Sequence, residues 1–360
     1  MPTTLKDVAS RAKVTVSTVS RILNSSKGQG GRKHTYSEET KRRVLNAAQK
    51  LDYRPNMVAR GFRLKKSFSV GILTADLSDP LISLELQELE NLLGEKGYRV
   101  LLGFTNSKKE RLKEYVQDFL SRGIDGLVMV FHSAVGSDGE FRELKAIFGE
   151  TPLVGLGSLR GTGISYVDID RREGTYQLIR HMLAEHGHRE IALFGYPMPN
   201  ITLIHRLEGY RHAFAEFGIE VDGNLLFYDQ PEGLASYQQF EMGRRQVQNC
   251  LDRLGRPPRV IFASNDLKAV AVIRELSQRG FSVPHDVAVV GFDGIAIGAE
   301  LSVGLTTVRQ PEKRIAQAVV DMIIQFIEQG MPEQPKEIIL KPELIIRESC
   351  GCNHSGSANI

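Results

Sequence analysis

The sequence predicts a small all-α helix-turn-helix head followed by an α/β body of two doubly wound parallel-sheet lobes. Three observations carry that expectation. Residues 1–66 hold 16 Lys/Arg against 4 Asp/Glu, a net +12, and the remainder carries −9, so the formal +3 of the chain hides a basic head on an acidic body. The head has apolar residues at helical spacing, which a solvated basic tail lacks. From Phe68 onward short apolar runs alternate with helical patterns, the rhythm of parallel sheets. At 360 residues, 41% hydrophobic and 25% charged, the chain suits a small module joined to a larger bilobed body. No run approaches the roughly 18 apolar residues of a membrane span. Residues 1–7 lack the apolar core of a signal peptide, so a cytoplasmic protein is expected.

Leu5, Val8, Ala9 and Ala12 follow the i, i+3, i+4, i+7 pattern, with Thr4 as N-cap and Asp7 in a capping-box position. A second short helix opens after Thr15, and Val19, Ile22 and Leu23 form its apolar face. The brief connection between the two forces a sharp turn, the helix-turn-helix arrangement. A third helix starts at Ser37-Glu38-Glu39, where two acids suit the positive end of the helix dipole. Val44, Leu45, Ala48 and Leu51 are expected to complete a three-helix core.

The first turn of the second helix carries Val16, Ser17 and Thr18, which its packing does not require, and Arg21 lies one turn further. Residues so placed reach base edges in the major groove of DNA. Ser17 can donate or accept a hydrogen bond, Val16 can meet a thymine methyl, and Arg21 can address guanine or a phosphate. Arg32, Lys33, Lys41, Arg42 and Arg43 are expected on phosphates, which position the head without reading sequence.

Thr4-Leu5-Lys6-Asp7-Val8-Ala9, the run Val14-Thr15-Val16-Ser17-Thr18-Val19-Ser20-Arg21-Ile22-Leu23-Asn24, and Leu51-Asp52-Tyr53-Arg54-Pro55-Asn56 followed by Val58-Ala59-Arg60-Gly61 resemble the head of the lac repressor family of bacterial transcriptional regulators. The resemblance continues to Arg347-Glu348-Ser349-Cys350 and covers nearly the whole chain. It implies a DNA-binding head over 1–55, a hinge over 56–66, a periplasmic-binding-protein-like effector domain over 67–350 and a tail over 351–360. Within that domain it implies an N-lobe of about 67–166 plus 309–329 and a C-lobe of about 167–307 plus 333–349. The implied DNA contacts are Thr4, Thr15, Val16, Ser17, Thr18, Arg21, Asn24, Tyr36, Asn56, Ala59, Arg60 and Phe62. Residues 56–64 are too few for a helix that stands alone in water, where about 12–15 are needed. In the family this hinge folds when two copies meet in the minor groove. There an apolar wedge kinks the duplex. Phe62 takes that place where leucine is usual, with a linker anchor packed on the body as the alternative. The chain departs from the family at Lys13, where a small residue or Gly is usual, and at 25–35, a longer Gly-rich basic stretch that is either a phosphate-gripping arm or a surface insertion.

In the body, Val70-Gly71-Ile72-Leu73, Val100-Leu101-Leu102-Gly103 and 126–130 read as strands, with helices through Leu84–Leu93 and 109–122 between them. The pattern restarts at 191–194, 260–263 and 287–290. Two similar lobes predict a cleft between the carboxyl ends of both sheets. By resemblance, Arg206 is the effector-clamping arginine, and Asn265 and Asp293 are cleft polar residues, with Asp266 expected as a helix cap. Asn200 and Thr202 face the same region, and Leu81 and Ile82 stand where the family shows aromatic residues. A fork donor beside amide and carboxylate groups suits a polyol or nucleobase. Thr306–Pro311 resembles the return crossing between lobes, and the helix 315–327 follows it.

His181, His186 and His188 at a helix end, and the pair Cys350 and Cys352 elsewhere, each lack a completing set at useful spacing in the sequence, so no metal or cofactor is expected and the three cysteines are expected as free thiols. No nucleotide-binding or nucleophile-elbow pattern appears, and no enzyme is expected. The resulting expectation is a transcriptional regulator, a repressor acting as a homodimer on a near-palindromic DNA operator under control of a small-molecule effector, a carbohydrate or related metabolite. The alternative is a small-molecule binding or signalling protein without a direct transcriptional role.

Overall fold

The computed structural model describes residues 3–25, 36–53, 61, 64–75, 77–106, 108–130, 146–196, 200–228 and 236–352. The chain divides into two compact units, 1–68 and 69–360.

Among the described residues, the first unit holds three helices, α1 (Leu5–Ala12), α2 (Val16–Ser25) and α3 (Glu38–Lys50). The predicted capping box closes α1: Thr4 Oγ1 accepts from the Asp7 amide at 3.4 Å, and Asp7 Oδ2 accepts from the Thr4 amide at 2.8 Å. Hydrogen bonds from Thr4 hold the Asp7 carboxyl below its usual pKa. Thr15 caps α2 by accepting from the Thr18 amide, and Ser37 caps α3 by accepting from the Thr40 amide, each at 3.2 Å. Val8, Ala9, Ala12, Val19, Ile22, Val44 and Ala47 form the buried core, with Leu23, Tyr36, Ala48 and Leu51 against it. Leu45 corrects the expectation. It is 47% exposed, because the inward face of α3 runs 44, 47, 48, 51 and Leu45 sits about 100° around the helix from Val44.

Among the described residues, the second unit holds two parallel sheets. The first has the order β11-β5-β4-β3-β1-β2, built from β1 (Ser69–Thr74), β2 (Arg99–Phe104), β3 (Gly126–Val130), β4 (Leu153–Leu156), β5 (Ser165–Ile169) and β11 (Glu337–Leu340). Strand periodicity sorts its side chains. Val70, Ile72, Val128 and Val130 join the core under α4 (Pro80–Glu95) and α10 (Glu312–Gln329), while Leu73, Leu127 and Met129 meet α5 (Lys109–Ser121) on the other face. Gly71 admits that approach, since a Cβ there would lie 2.6 Å from the Phe119 ring.

The second sheet has the order β7-β6-β8-β9, from β6 (Ile191–Phe194), β7 (Leu226–Phe227), β8 (Val260–Ala263) and β9 (Ala288–Val290). α6 (Arg171–Ala184) and α7 (Ile201–Glu216) pack on one face. α8 (Ser236–Leu254) and α9 (Asp266–Gln278) pack on the other. β10 (Thr307–Arg309) and β12 (Glu343–Ile345) pair antiparallel as a strap.

The lobe limits expected from the sequence need one correction. All of β5 and β11 belongs to the first sheet, Glu337–Leu340 pairing with Tyr166–Ile169, so the first lobe extends past residue 166 and takes up 337–340, which the resemblance assigns to the second. The hydrophobic alternation of β11 marks a strand but carries no information about which sheet edge it joins.

Candidate functional site

The head presents a polar face built by the turn between α1 and α2. Lys13 adopts the left-handed conformation (φ 53°, ψ 49°) although it is not a glycine. Its amide reaches Ala9 O and Ser10 O, closing α1 so that α2 departs at once. The first turn of α2 then projects outward: Thr15, Ser17 and Arg21 are exposed, and Val16 is 40% exposed. The Thr15 hydroxyl lies 2.9 Å from those of Ser17 and Thr18, which fixes their rotamers while α2 buries Val19 and Ile22 behind them. Lys41 pairs with Glu38 at 2.6 Å on the surface, and Arg42 and Arg43 are exposed. Tyr36 is half-buried against the head core. Asn56, Ala59, Arg60 and Phe62, the side chain of Asn24, and Arg32 and Lys33 lie outside the described residues.

In the body, three predicted residues meet at the carboxyl end of the second sheet. Arg206, on α7, is 3% exposed, and its guanidinium donates to Asp293 Oδ1 at 3.3 Å and to Thr202 Oγ1 at 3.4 Å. It lies 4.2 Å from the ring centre of Phe292, and Tyr196 stands on its other flank at 6.0 Å. Its Nε has no partner among the described residues. Burial pulls the guanidinium pKa down and Asp293 opposes that shift. Asp293 also accepts from Gln310 Nε2 at 2.8 Å. Its backbone has φ 120°, held by Asp293 N donating to Val308 O at 2.8 Å. Such a conformation costs a non-glycine residue on the order of 1–3 kcal/mol and recurs at ligand sites.

The helix caps supply the neighbouring polar groups. Asn200 caps α7, accepting from Leu203 N at 3.0 Å and from the Thr202 hydroxyl at 2.7 Å. Asn265 caps α9, accepting from Lys268 N at 2.9 Å. Burial raises the Tyr196 pKa, which keeps the phenol neutral. The cap is therefore Asn265 and not Asp266, a correction to the expectation. Asp266 instead accepts from the Thr307 hydroxyl at 2.6 Å and the Ile295 amide at 2.9 Å, tying the strap to the second lobe. Burial and the nearby Asp293 charge push its carboxyl pKa up to about 8.

From the first lobe, Asp79 caps α4 by accepting from Leu81 N. Leu81 packs with Leu267, Ile295 and Phe240 of the second lobe, whereas Ile82 joins the core of its own lobe. Beside Leu81 a space of about 600 Å³ opens between the lobes, lined by Ser78, Ser83, Gln87, Phe240, Leu267 and Ile295 among others. Arg206, Asp293 and Asn265 do not line it, so the polar cluster and the apolar space are neighbouring features.

The model of bacterial regulatory proteins of the lacI family matches residues 4–56, and that of the periplasmic binding protein-like domain matches 180–350. The HTH-type transcriptional repressor PurR of Aliivibrio fischeri is 28% identical over 355 residues, covering 96% of this chain and 98% of its own. The chain belongs to the lac repressor family. A transcriptional regulator CelR–cellobiose complex is similar at 26% identity and TM-score 0.68, with 96% of this chain and 99% of that one covered. A lac repressor dimer bound to operator and the anti-inducer ONPF shares the fold at TM-score 0.80 and 24% identity, over 97% and 99% of the two chains. As a member of the family this protein is a DNA-binding transcriptional regulator whose periplasmic-binding-protein-like body responds to small-molecule effectors. Its relatives are regulators rather than enzymes. Among the described residues no helix is long and apolar enough to cross a membrane.

Sequence reading missed several residues of this buried polar cluster: Tyr196, Phe292, Gln310 and the fully buried Lys268, whose Nζ donates to Gly195 O at 2.6 Å and lies 4.8 Å from the Tyr196 ring centre. Phe292 precedes Asp293 and Gln310 lies within the Thr306–Pro311 crossing, and neither carries a signal of its own in the sequence. Lys268 carried a signal, a lysine on the apolar face of a helix shortly after Asn265.

Proposed function

We propose that this protein is a repressor that binds a near-palindromic operator as a homodimer and is switched by a sugar or related polyhydroxy metabolite between its lobes. We assign Thr15, Val16, Ser17, Thr18 and Arg21 to base and phosphate contacts, with Thr4, Asn24 and Tyr36 around them. Asn56, Ala59, Arg60 and Phe62 act in the minor groove. Residues 1–55 form the head, 56–66 the hinge and 67–350 the sensing body, and the protein acts in the cytoplasm.

The observation that carries the effector reading is Arg206. A guanidinium that is almost fully buried, stacked on Phe292 and left with one unpartnered N–H is costly unless something completes it. Arg206, Asp293 and Asn265 supply fixed donors and acceptors for hydroxyls, Asn200 and Thr202 orient the fork, and Leu81 forms the apolar side of the site, whereas Ile82, expected beside it, lies behind it in the core of its own lobe. A cellobiose complex in a relative supports the sugar class. The ligand shifts the lobes only to the extent that it binds one arrangement better.

A thermal-shift screen against sugars, sugar phosphates, uronic acids, nucleosides and purines tests this. A ligand at a hundredfold excess over its dissociation constant stabilises by about 2.7 kcal/mol. The expected result is a shift from sugars that Arg206→Ala abolishes; a shift from purines alone would refute the sugar assignment. Salt-dependent operator affinity tests the head, since each phosphate contact releases counterions.

A further inference from the structure

The fold joins two sequence signals that seemed separate. The last turn of α6 carries His181. Gly187 stops the chain beyond that helix with φ 66°, placing His186 beside it. The turn at Glu348–Cys350 brings Cys350 and Cys352 to the same point, although His181 and Cys352 are 171 residues apart in sequence. Ser349 pins that turn under the second sheet by donating to Val289 O at 2.5 Å. Gly351, at φ 98°, lets the chain double back between the cysteines against the His186 ring.

One ligand atom from each of His181, His186, Cys350 and Cys352 lies within 4.8 Å of all the others. His181 Nε2 and His186 Nε2 are 3.3 Å apart. Cys352 Sγ is 3.6 Å from the first and 3.3 Å from the second. A tetrahedral zinc site with Zn–N of about 2.0 Å and Zn–S of about 2.3 Å has edges of about 3.3 Å between nitrogens and about 3.6 Å between nitrogen and sulfur. Two of these three edges match that tetrahedron, and the Cys352–His186 edge is about 0.3 Å shorter. Hydrogen bonding accounts for them less well. A neutral thiol and one N–H supply two protons for three mutual contacts, whereas a metal ion engages every lone pair at once.

We propose that His181, His186, Cys350 and Cys352 bind one zinc ion in a closed tetrahedral S2N2 site that fastens the segment after β12 to the end of α6. The donor set selects zinc, since mixed imidazole and thiolate in tetrahedral array is its preferred environment. With all four positions filled by protein the site is structural, and both thiols bind as thiolates, releasing their protons to solvent. His188 stacks on His186 at 5.8 Å and steadies its ring.

The test is metal analysis of the full chain purified under reducing conditions without chelator, followed by replacement with cobalt(II). About one zinc per chain is expected. The cobalt form should show thiolate-to-metal charge transfer and strong visible bands of tetrahedral coordination. Cys352→Ser and His186→Ala should each abolish the bands, while Cys250→Ser, altering the third cysteine, should keep them. The proposal is overturned if the reduced wild-type chain takes up neither zinc nor cobalt, if the bands survive in the Cys352→Ser/His186→Ala double variant, or if intact-mass measurement finds a Cys350–Cys352 disulfide that persists with zinc and reductant present. The wild-type spectrum decides the matter even if a variant fails to fold.

Discussion

Arg206 and Asp293 meet at 3.3 Å with both side chains at least nine-tenths buried, although 87 residues separate them in the chain. Arg206 comes from the middle of a helix. Asp293 comes from the loop beyond β9, where the strap also passes through Gln310. The pair therefore fastens α7 to the crossing between lobes at the point where the effector is proposed to bind.

Removing one member of that pair leaves a buried charge short of a partner. Arg206→Met is expected to destabilise the body by on the order of 3–5 kcal/mol. Adding Asp293→Asn should recover part of the loss, because the uncompensated carboxylate is gone and the two effects are not additive. The chain has no tryptophan, so urea midpoints followed by far-ultraviolet circular dichroism are the appropriate readout. Equal midpoints for the single and double variants would deny the coupling.

Asp266 predicts a pH dependence. Its carboxyl pKa is raised from an ordinary 3.8 to about 8 in the folded protein, so the native state holds a proton that the unfolded chain releases. The stabilisation is complete below about pH 4 and is lost as pH rises towards about 8. Asp266→Asn mimics the protonated form and should flatten that part of the profile, measured as thermal midpoint against pH from 5 to 8. A profile parallel to wild type would place the titration elsewhere.

At the turn of the head, Lys13 occupies a left-handed conformation that costs a side-chain-bearing residue on the order of 1 kcal/mol. Lys13→Gly should protect the head by no more than about 0.5 kcal/mol, after the greater flexibility of glycine in the unfolded chain is subtracted. Lys13→Val should do the opposite. Amide hydrogen exchange of Val8 and Val19 in the full chain reports the head separately from the body.

DNA affinity should separate two kinds of basic residue. Arg21 is exposed on α2 and projects from the face that carries Ser17, so Arg21→Ala should cost about 1–3 kcal/mol on the operator and narrow its advantage over random DNA. Lys41 is held by Glu38 on α3, and Lys41→Ala should weaken all sequences alike and lower the salt slope by about one. Fluorescence anisotropy on operator and scrambled duplexes distinguishes these outcomes.

What the sequence made legible is whatever depends on local periodicity. The strands at 126–130, 191–194 and 260–263 lie where alternation and apolar runs put them, and the Thr4–Asp7 box forms as read. The family resemblance finds Arg206 and Asp293, and the structure joins them directly. The failures are long-range or a matter of phase. Leu45 is apolar by residue type, but helical phase turns it outward. β11 joins the first sheet because a strand does not encode its neighbour. The histidines of α6 and the cysteines beyond β12 look incomplete separately because a set of four groups spread over 171 residues exists only after the sheets have formed.

Residues 337–350 give the chain a particular order of completion. β11 supplies an outer strand of the first sheet, β12 pairs with β10, and Ser349 locks beneath the second sheet. These residues leave the ribosome after every other strand of both sheets, so the first sheet waits for its β11 strand and the second lobe for the Ser349 lock. Until they emerge, β5 is the open edge of the first sheet and β10 lacks its partner, a state prone to mispairing. The head needs nothing beyond Tyr53 for its core and can fold long before. A DNA-reading module thus matures ahead of the body that governs it, and the interval is set by the synthesis of almost 300 further residues.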